Sequence, residues 1–483
     1  MKSLSNPPLQ PPKKWWAMTG IGCGVLMATL DASIINVSLP TMAAVLNTSF
    51  AHIQWIILSY LLILTSLVLG VARWGDMFSK KKLYLSGMVL FSLSSLLCGL
   101  APGVGWLIGF RVFQGMGAVM MQALGAAMVT EIFPKSERGR ALGIIGAIVS
   151  IGLAFGPALG GMLIGLAGWR SIFLVNVPIG LTAIFIIIRH VPLLPPQHSG
   201  QRFDFLGAAL MMITLASYAL GMTLSEQLGF YHPWIMGLLV TTAVGLVAFI
   251  AVEYRLPQPM IELRLFRDLL FSCNLLMGFL VFVSLSGVFL IPFFLELVKG
   301  YSTIIVGLLM MTVPLGMGLL APLAGLLSDR FGSRGISFMG LLLALGGFLT
   351  LGTIHQDISL GGYILRVIPL GLGLGLFLSP NNSAIMGAVS RERLGVASGL
   401  MALTRTLGQT TGLPIMSTLF IAIIHRQEGW MAGGNLSAIP PRLIVSGLTG
   451  TFHLGALLVF ISLILSLVVW WLDRSNRLGE KSG

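Results

Sequence analysis

Charged side chains are scarce in this 483-residue chain: 9% of its residues are Asp, Glu, Lys or Arg, against about 25% in soluble globular proteins. Acidic residues are scarcer still, 16 against 29 Lys and Arg. So few ionic groups cannot coat a soluble globule of this size, and the 56% of apolar residues gather instead in long runs. Cysteine is also rare. Cys23, Cys98 and Cys273 all fall in apolar runs without metal-ligand spacing, so neither a disulfide framework nor a zinc site is indicated. A Walker-type phosphate loop, a His-Glu-x-x-His pair and a Gly-x-Ser-x-Gly elbow are all missing, so an enzyme is not expected and no cofactor or metal is implied. Energy for any work done by the chain must then come from an ion gradient.

Hydrocarbon offers a backbone amide no partner outside its own segment, so apolar runs near 20 residues long are read as membrane-spanning helices. Fourteen such runs can be counted, the first near 16–38 and the last near 449–472. Lys13 and Lys14 before the first run superficially resemble a signal peptide, but the run extends to Pro40 with no cleavage pattern and is read as a span. With the N-terminus in the cytoplasm, the inner loops and the C-terminal tail carry Lys80, Lys81, Lys82, Lys135, Arg138, Arg140, Arg330, Arg334 and Arg474. The outer loops hold little beyond Arg170, Lys299, Arg426 and Arg442. This is the positive-inside asymmetry, and shifting the count by one helix destroys it. The formal charge of +13 is therefore a topology signal, with both termini cytoplasmic, and not a nucleic-acid footprint.

The chain repeats itself. Asp76, followed by Phe78 and three lysines, has a counterpart in Asp329-Arg330-Phe331, and roughly 35 residues beyond each Asp a helix carries an Arg and then closely spaced glycines. These are Arg111, Gly115 and Gly117 in the first half and Arg366, Gly371, Gly373 and Gly375 in the second. The expected all-α membrane architecture is two six-helix bundles, at 1–190 and 269–483, around a midplane cavity, with an inserted helix pair at 191–268.

Four further stretches complete a pattern: Leu30-Asp31-Ala32-Ser33-Ile34-Ile35-Asn36 in the first span, Gly152-Leu153-Ala154-Phe155-Gly156-Pro157-Ala158-Leu159-Gly160-Gly161 in the fifth, Asn176-Val177-Pro178 entering the sixth and Phe203-Asp204-Phe205 at the seventh. In order and spacing, with the Asp76 loop and Arg111–Gly117, they resemble the major facilitator superfamily, in its fourteen-helix drug:proton antiporter branch of the EmrB/QacA type. One departure is that Ala72 and Ser79 stand where that family's loop usually has glycines. The resemblance implies proton-coupled export of amphipathic, often cationic drug-like compounds by alternating access, from a bacterial inner (plasma) membrane. It leaves open a periplasmic adaptor protein as partner, besides the small-molecule substrate, protons and the lipid bilayer.

Particular side chains carry that expectation. Asp31 lies inside an apolar helix, where an isolated carboxylate costs roughly 2.5–3.5 kcal/mol on insertion scales unless it faces a cavity or a partner. Arg111 is permanently charged in another span and needs a partner as well. Together with Glu296, near the outer end of the ninth run, they are candidates for proton coupling, the role of Arg111 being implied by the resemblance. Asn36, Gln114, Arg405 and Gln409 are polar residues at membrane depth and are candidates for the substrate pathway. Asp76, Lys80, Lys81, Glu131, Arg140, Asp329 and Arg330 form a candidate cytoplasmic latch between the bundles. Gly152, Gly156, Pro157, Gly160 and Gly161 permit close helix approach, and in the resembled family that segment marks antiporters. Two other readings stay open: export of one dedicated metabolite, siderophore or lipid, and a non-transporting membrane sensor.

Overall fold

A computed structural model describes residues 13–77, 79–134, 137–192, 205–229, 231–256, 261, 263–389, 394–428 and 439–479. Its elements are helical: α1 (Lys13–Val45), α2 (Phe50–Met77), α3 (Lys80–Gly99), α4 (Val104–Ile132), α5 (Arg138–Ala167), α6 (Ser171–Leu174), α7 (Asn176–His190), α8 (Phe205–Leu228) and α9 (Pro233–Arg255). After a short 3₁₀ turn at Leu263–Arg267 come α10 (Leu269–Leu285), α11 (Ile291–Phe293), α12 (Thr303–Met310), α13 (Thr312–Phe331), α14 (Ser333–Leu351), α15 (Leu360–Gly387), α16 (Leu394–Glu428) and α17 (Pro441–Gly479). Helix starts follow local chemistry. Asp268 caps α10 by accepting from the amides of Leu270 and Phe271 at 2.8 and 3.1 Å, and Ser359 caps α15 through the amide of Gly362. Gly332 joins α13 to α14 at φ +87°, a left-handed conformation that suits glycine.

Among the described residues twelve helical segments are long and apolar enough to cross a membrane. Two further helices, α2 and α5, are 28 and 30 residues long, but their described apolar stretches, His52–Val68 and Ile151–Ala167, are shorter. Each is flanked by charge, Arg73 and Asp76 in α2 and Arg138 and Arg140 in α5. Prolines lie inside α1, α5, α13, α15 and α16, which continue through them, and each removes one backbone hydrogen bond, a loss that membrane helices tolerate when neighbouring groups satisfy the freed carbonyl.

Helix contacts close an eight-membered ring: α1 meets α5, α5 meets α12 and α13, α13 meets α15, α15 meets α10, α10 meets α16, α16 meets α2, α2 meets α4, and α4 returns to α1. Helices α3, α7, α14 and α17 buttress this ring from outside. Close glycine contacts repeat across it. A Cβ on Gly117 of α4 would stand 2.6 Å from the Gly87 carbonyl of α3, and one on Gly373 of α15 would stand 2.7 Å from the Gly340 carbonyl of α14. Gly152 and Gly156 seat α5 on α1, as Gly408 and Gly412 seat α16 on α10. Such tight crossings are what small residues provide in lipid, where apolar burial gives helices no reason to associate.

Helix α8 lies outside the ring in the groove between α2 and α16, touching both, and α9 packs chiefly on α8. Trp234, Val240, Val244 and Val247 of α9 are mostly exposed, as expected of a helix that faces lipid.

Candidate functional site

Asp31 of α1 is 1% exposed and sits among donors from α4 and α7. Arg111 of α4 donates from Nη1 to its Oδ2 at 2.5 Å, Gln114 from Nε2 to Oδ1 at 2.9 Å, and Asn176, at the start of α7, from Nδ2 to Oδ1 at 3.3 Å. Arg111 is itself 0% exposed. Its Nε donates to the Ile56 carbonyl of α2 at 3.0 Å, its Nη1 also reaches Gln114 Oε1 at 2.8 Å, and its guanidinium lies 4.2 Å from the centroid of the Tyr60 ring. Gln114 closes the network by donating to Ser95 of α3 at 2.8 Å. An ion pair this dry persists because both carboxylate oxygens and the Nε and Nη1 of the guanidinium are hydrogen-bonded. Chemically, the pair is a place where one proton changes the balance of charge between helices.

Gln114 thus stands inside the charge cluster and not on an open wall. Asn36, Arg405 and Gln409 are partly exposed, and none of the three has a side-chain hydrogen bond or ion pair with a described residue. Arg405 lies deep in the protein, within electrostatic reach of Tyr60.

Glu296 falls where the helix begun by α10 changes character. A 3₁₀ turn at Ser286–Leu290 passes through α11, with Pro292, into a π turn at Phe294–Val298 that contains Glu296. Its carboxyl lies beside the hydroxyls of Thr41 of α1 and Thr303 of α12, which are 3.4 Å apart, and its Oε1 is buried with no hydrogen-bond partner among the described residues. Irregular helix turns of this kind cluster at functional sites. The structure does not bring Glu296 into the Asp31 network.

Within the expected latch, Lys80 pairs with Glu131 at 2.7 Å, so its partner lies on α4, in the same half of the chain and not across the ring. Lys81 donates to the carbonyls of Ile188 and Val191 at 3.1 and 2.5 Å, capping the end of α7. Arg330 is exposed at the end of α13. The side chains of Asp76, Arg140 and Asp329 lie outside the described residues. A second ion pair, Lys14 with Glu137 at 2.6 Å, joins α1 to the start of α5 at the same end. Ser95, Tyr60 and this pair carry no signal in the sequence, and Asn176 stands there only within the Asn-Val-Pro stretch, with no role assigned to it. The membrane-depth Asn176 within Asn-Val-Pro was the one available signal.

Gly152, Gly156 and Gly160 face α1 along one stripe of α5, with Ser33 donating to the Gly152 carbonyl at 3.0 Å. Gly161 and Pro157 face the other way: the Cα of Gly307 on α12 would be 3.1 Å from a Cβ at Gly161. The segment is therefore clamped between Asp31's helix and the second half of the chain.

The sequence pattern of the Major Facilitator Superfamily matches residues 21–413. The chain belongs to that superfamily. It is 34% identical over 413 residues to the riboflavin transporter RibZ of Clostridioides difficile, covering 84% of this chain and 88% of that one. It is 34% identical over 407 residues to the multidrug resistance protein Stp of Mycobacterium tuberculosis, covering 83% and 75%. The multidrug transporter protein MdtP of Bacillus subtilis is 28% identical over 420 residues, covering 86% and 76%. Among solved structures, a bacterial homologue of the human lysosomal transporter Spinster, inward-facing and unoccupied, superposes with a TM-score of 0.69 at 18% identity over 95% of this chain and 98% of that one, a likeness of fold. As a member of this superfamily the chain is a multi-pass membrane transporter.

Proposed function

We propose that this transporter is a proton-coupled antiporter of the fourteen-helix drug:proton branch, exporting amphipathic drug-like compounds by alternating access. The observation that carries the reading is the buried Asp31–Arg111 pair, bonded by Gln114 and Asn176 and seated beside the Gly152–Gly161 segment. Protonating Asp31 removes the charge that balances Arg111, and an unbalanced buried guanidinium is costly enough to favour rearrangement. Asp31 is on α1 and Arg111 on α4, while α5 links α1 to α12, so a change in the pair has a short mechanical route to the second half. The fourteen-span count adds α2 and α5 to the twelve evident spans, since each is long enough at 1.5 Å per residue to cross about 30 Å of hydrocarbon. Residues 1–190 and 269–483 are then the two bundles, 191–268 the inserted pair, and both termini cytoplasmic.

A second reading, export of one dedicated compound, is supported by RibZ, a relative named for a single substrate and as similar as Stp. Both are tested in inverted vesicles that hold an imposed pH gradient, by adding candidate compounds one at a time and following proton release. Release with many compounds in wild type and loss in Asp31→Asn supports the multidrug antiporter. A response to one compound alone favours the dedicated exporter. Equal responses in wild type and Asp31→Asn remove Asp31 from coupling.

A further inference from the structure

Helix α16 is occupied on three sides at the level of residues 403–412. Gly408 presses on α10, where an added Cβ would lie 2.6 Å from Phe282 and 3.0 Å from the Phe279 carbonyl. Thr410 meets Thr65 of α2 with hydroxyls 3.0 Å apart, and Thr411 meets Tyr218 of α8 at 2.5 Å. At about 100° per residue, Arg405 and Gln409 project from the remaining side, opposite α8 and between α10 and α2, which is the inside of the eight-helix ring. Arg405 keeps accessible surface although it lies deep in the protein, so it borders an internal space, and Gln409 on the same face is also partly exposed.

The charges around that space do not cancel. Asp31 is taken up by Arg111, Gln114 and Asn176, with both of its oxygens bonded. Glu296 lies on another part of the wall, beside the hydroxyls of Thr41 and Thr303, and not beside Arg405. Arg405 has no carboxylate partner among the described residues, and a guanidinium keeps its proton at any physiological pH. Beside it, the Tyr60 hydroxyl is buried and makes no hydrogen bond with a described residue, which is a donor without an acceptor. Gln409 supplies an amide one turn further along. Beside Arg405 the unmet need is for negative charge and hydrogen-bond acceptors.

We propose that Arg405 is the recognition point for an acidic group, a carboxylate or phenolate, on an aromatic or amphipathic substrate, with Tyr60 and Gln409 as supporting donors. The proposal rests on the transport reading above and refines its substrate class: the wall of the cavity selects for acids and against purely cationic compounds. Planar two-point bonding to a carboxylate is a property of guanidinium that an ammonium does not share.

The test uses the full-length protein in lipid nanodiscs, without a gradient, and two probes that differ in one group: rhodamine B, with a free carboxylate, and its ethyl ester, a cation. Fluorescence anisotropy against empty nanodiscs gives Kd for each. Wild type is expected to bind the acid more tightly than the ester by roughly tenfold. Arg405→Gln should lose that preference while keeping its size-exclusion profile and melting temperature, and Arg405→Lys should recover part of it. A wild-type preference for the ester, no measurable binding of either probe to wild type, or an acid preference unchanged in Arg405→Gln overturns the proposal. Because no proton gradient is present, loss of acid preference and loss of proton coupling are separate results: either can fail while the other stands.

Discussion

Arg111 engages four partners from one guanidinium. Nε is committed to a carbonyl of α2, Nη1 is shared between Asp31 and Gln114, and the plane lies over Tyr60. A lysine has neither donors spread along a fork to meet these positions together nor a plane to stack. Arg111→Lys should therefore cut substrate-driven proton exchange by roughly tenfold or more while leaving membrane insertion intact, measured in the same inverted vesicles with expression checked by immunoblot. Asp31→Asn keeps the shape of the site but leaves the guanidinium without its counter-charge, which for a dry pair costs about 3–5 kcal/mol. Its melting temperature in detergent should fall, and Asp31→Asn combined with Arg111→Gln should melt higher than Asp31→Asn alone. If the double variant instead melts as the sum of the two single losses, the pair is not the coupled unit described here. The charged members of this cluster were legible in the sequence because ionisable residues at membrane depth are rare enough to demand a partner. Asn176 and Ser95 were not, since neutral polar residues recur in transmembrane helices and only the fold shows which of them meet Asp31. Gln114 reads as a pathway candidate because it is polar at membrane depth, and nothing in the sequence says whether it faces a cavity or its neighbour.

The element that joins the cluster to the rest of the protein is α5. Three of its glycines lie on α1, and the other side of the same segment lies on α12, where the Gly307 Cα is 3.1 Å from a Cβ at Gly161 and a Cβ at Gly307 would meet the Ala158 Cα at 3.2 Å. Gly307→Val therefore wedges the α5–α12 contact without touching the Asp31 network. It should favour conformations in which these helices are apart, read as faster maleimide labelling of Thr41→Cys, and it should reduce transport. Gly318→Val on α13 is the control, because an added Cβ there meets nothing within 4 Å. Equal labelling rates in the two would mean that α5–α12 contact does not control access to Thr41. At this scale the repeat was readable from Asp76 and Asp329, since loop charges and glycine spacings survive as sequence. The break after α10 was not: Pro292 marks it, but Pro157 and Pro414 sit in helices that run on through them, so proline alone does not locate a π turn.

Alternating access requires the contacts made in one conformation to be broken in the next. In the conformation seen here α1 and α5 meet α12 at the end away from Lys13, with the Thr41 and Thr303 hydroxyls 3.4 Å apart and Gly165 against Ile304. If that contact opens in every cycle, fixing it stops transport, and if it is static, fixing it changes nothing. Cysteines at 41 and 303, introduced after Cys23, Cys98 and Cys273 are replaced by alanine, bring two thiols close enough for oxidation or for a short bifunctional methanethiosulfonate. Cross-linking should abolish proton exchange, reductant should restore it, and either cysteine alone should transport with and without oxidant. Full activity of the cross-linked protein would place the moving surface elsewhere, with the α2–α16 contact at Thr65 and Thr410 as the remaining seam between the two halves of the ring. Because α8 lies over that seam and touches both of its helices, motion there would oblige α8 to slide on α2 or α16. The Tyr218–Thr411 bond ties α8 to α16 while its larger packing surface lies on α2, so sliding at either face would break contacts that α8 makes here.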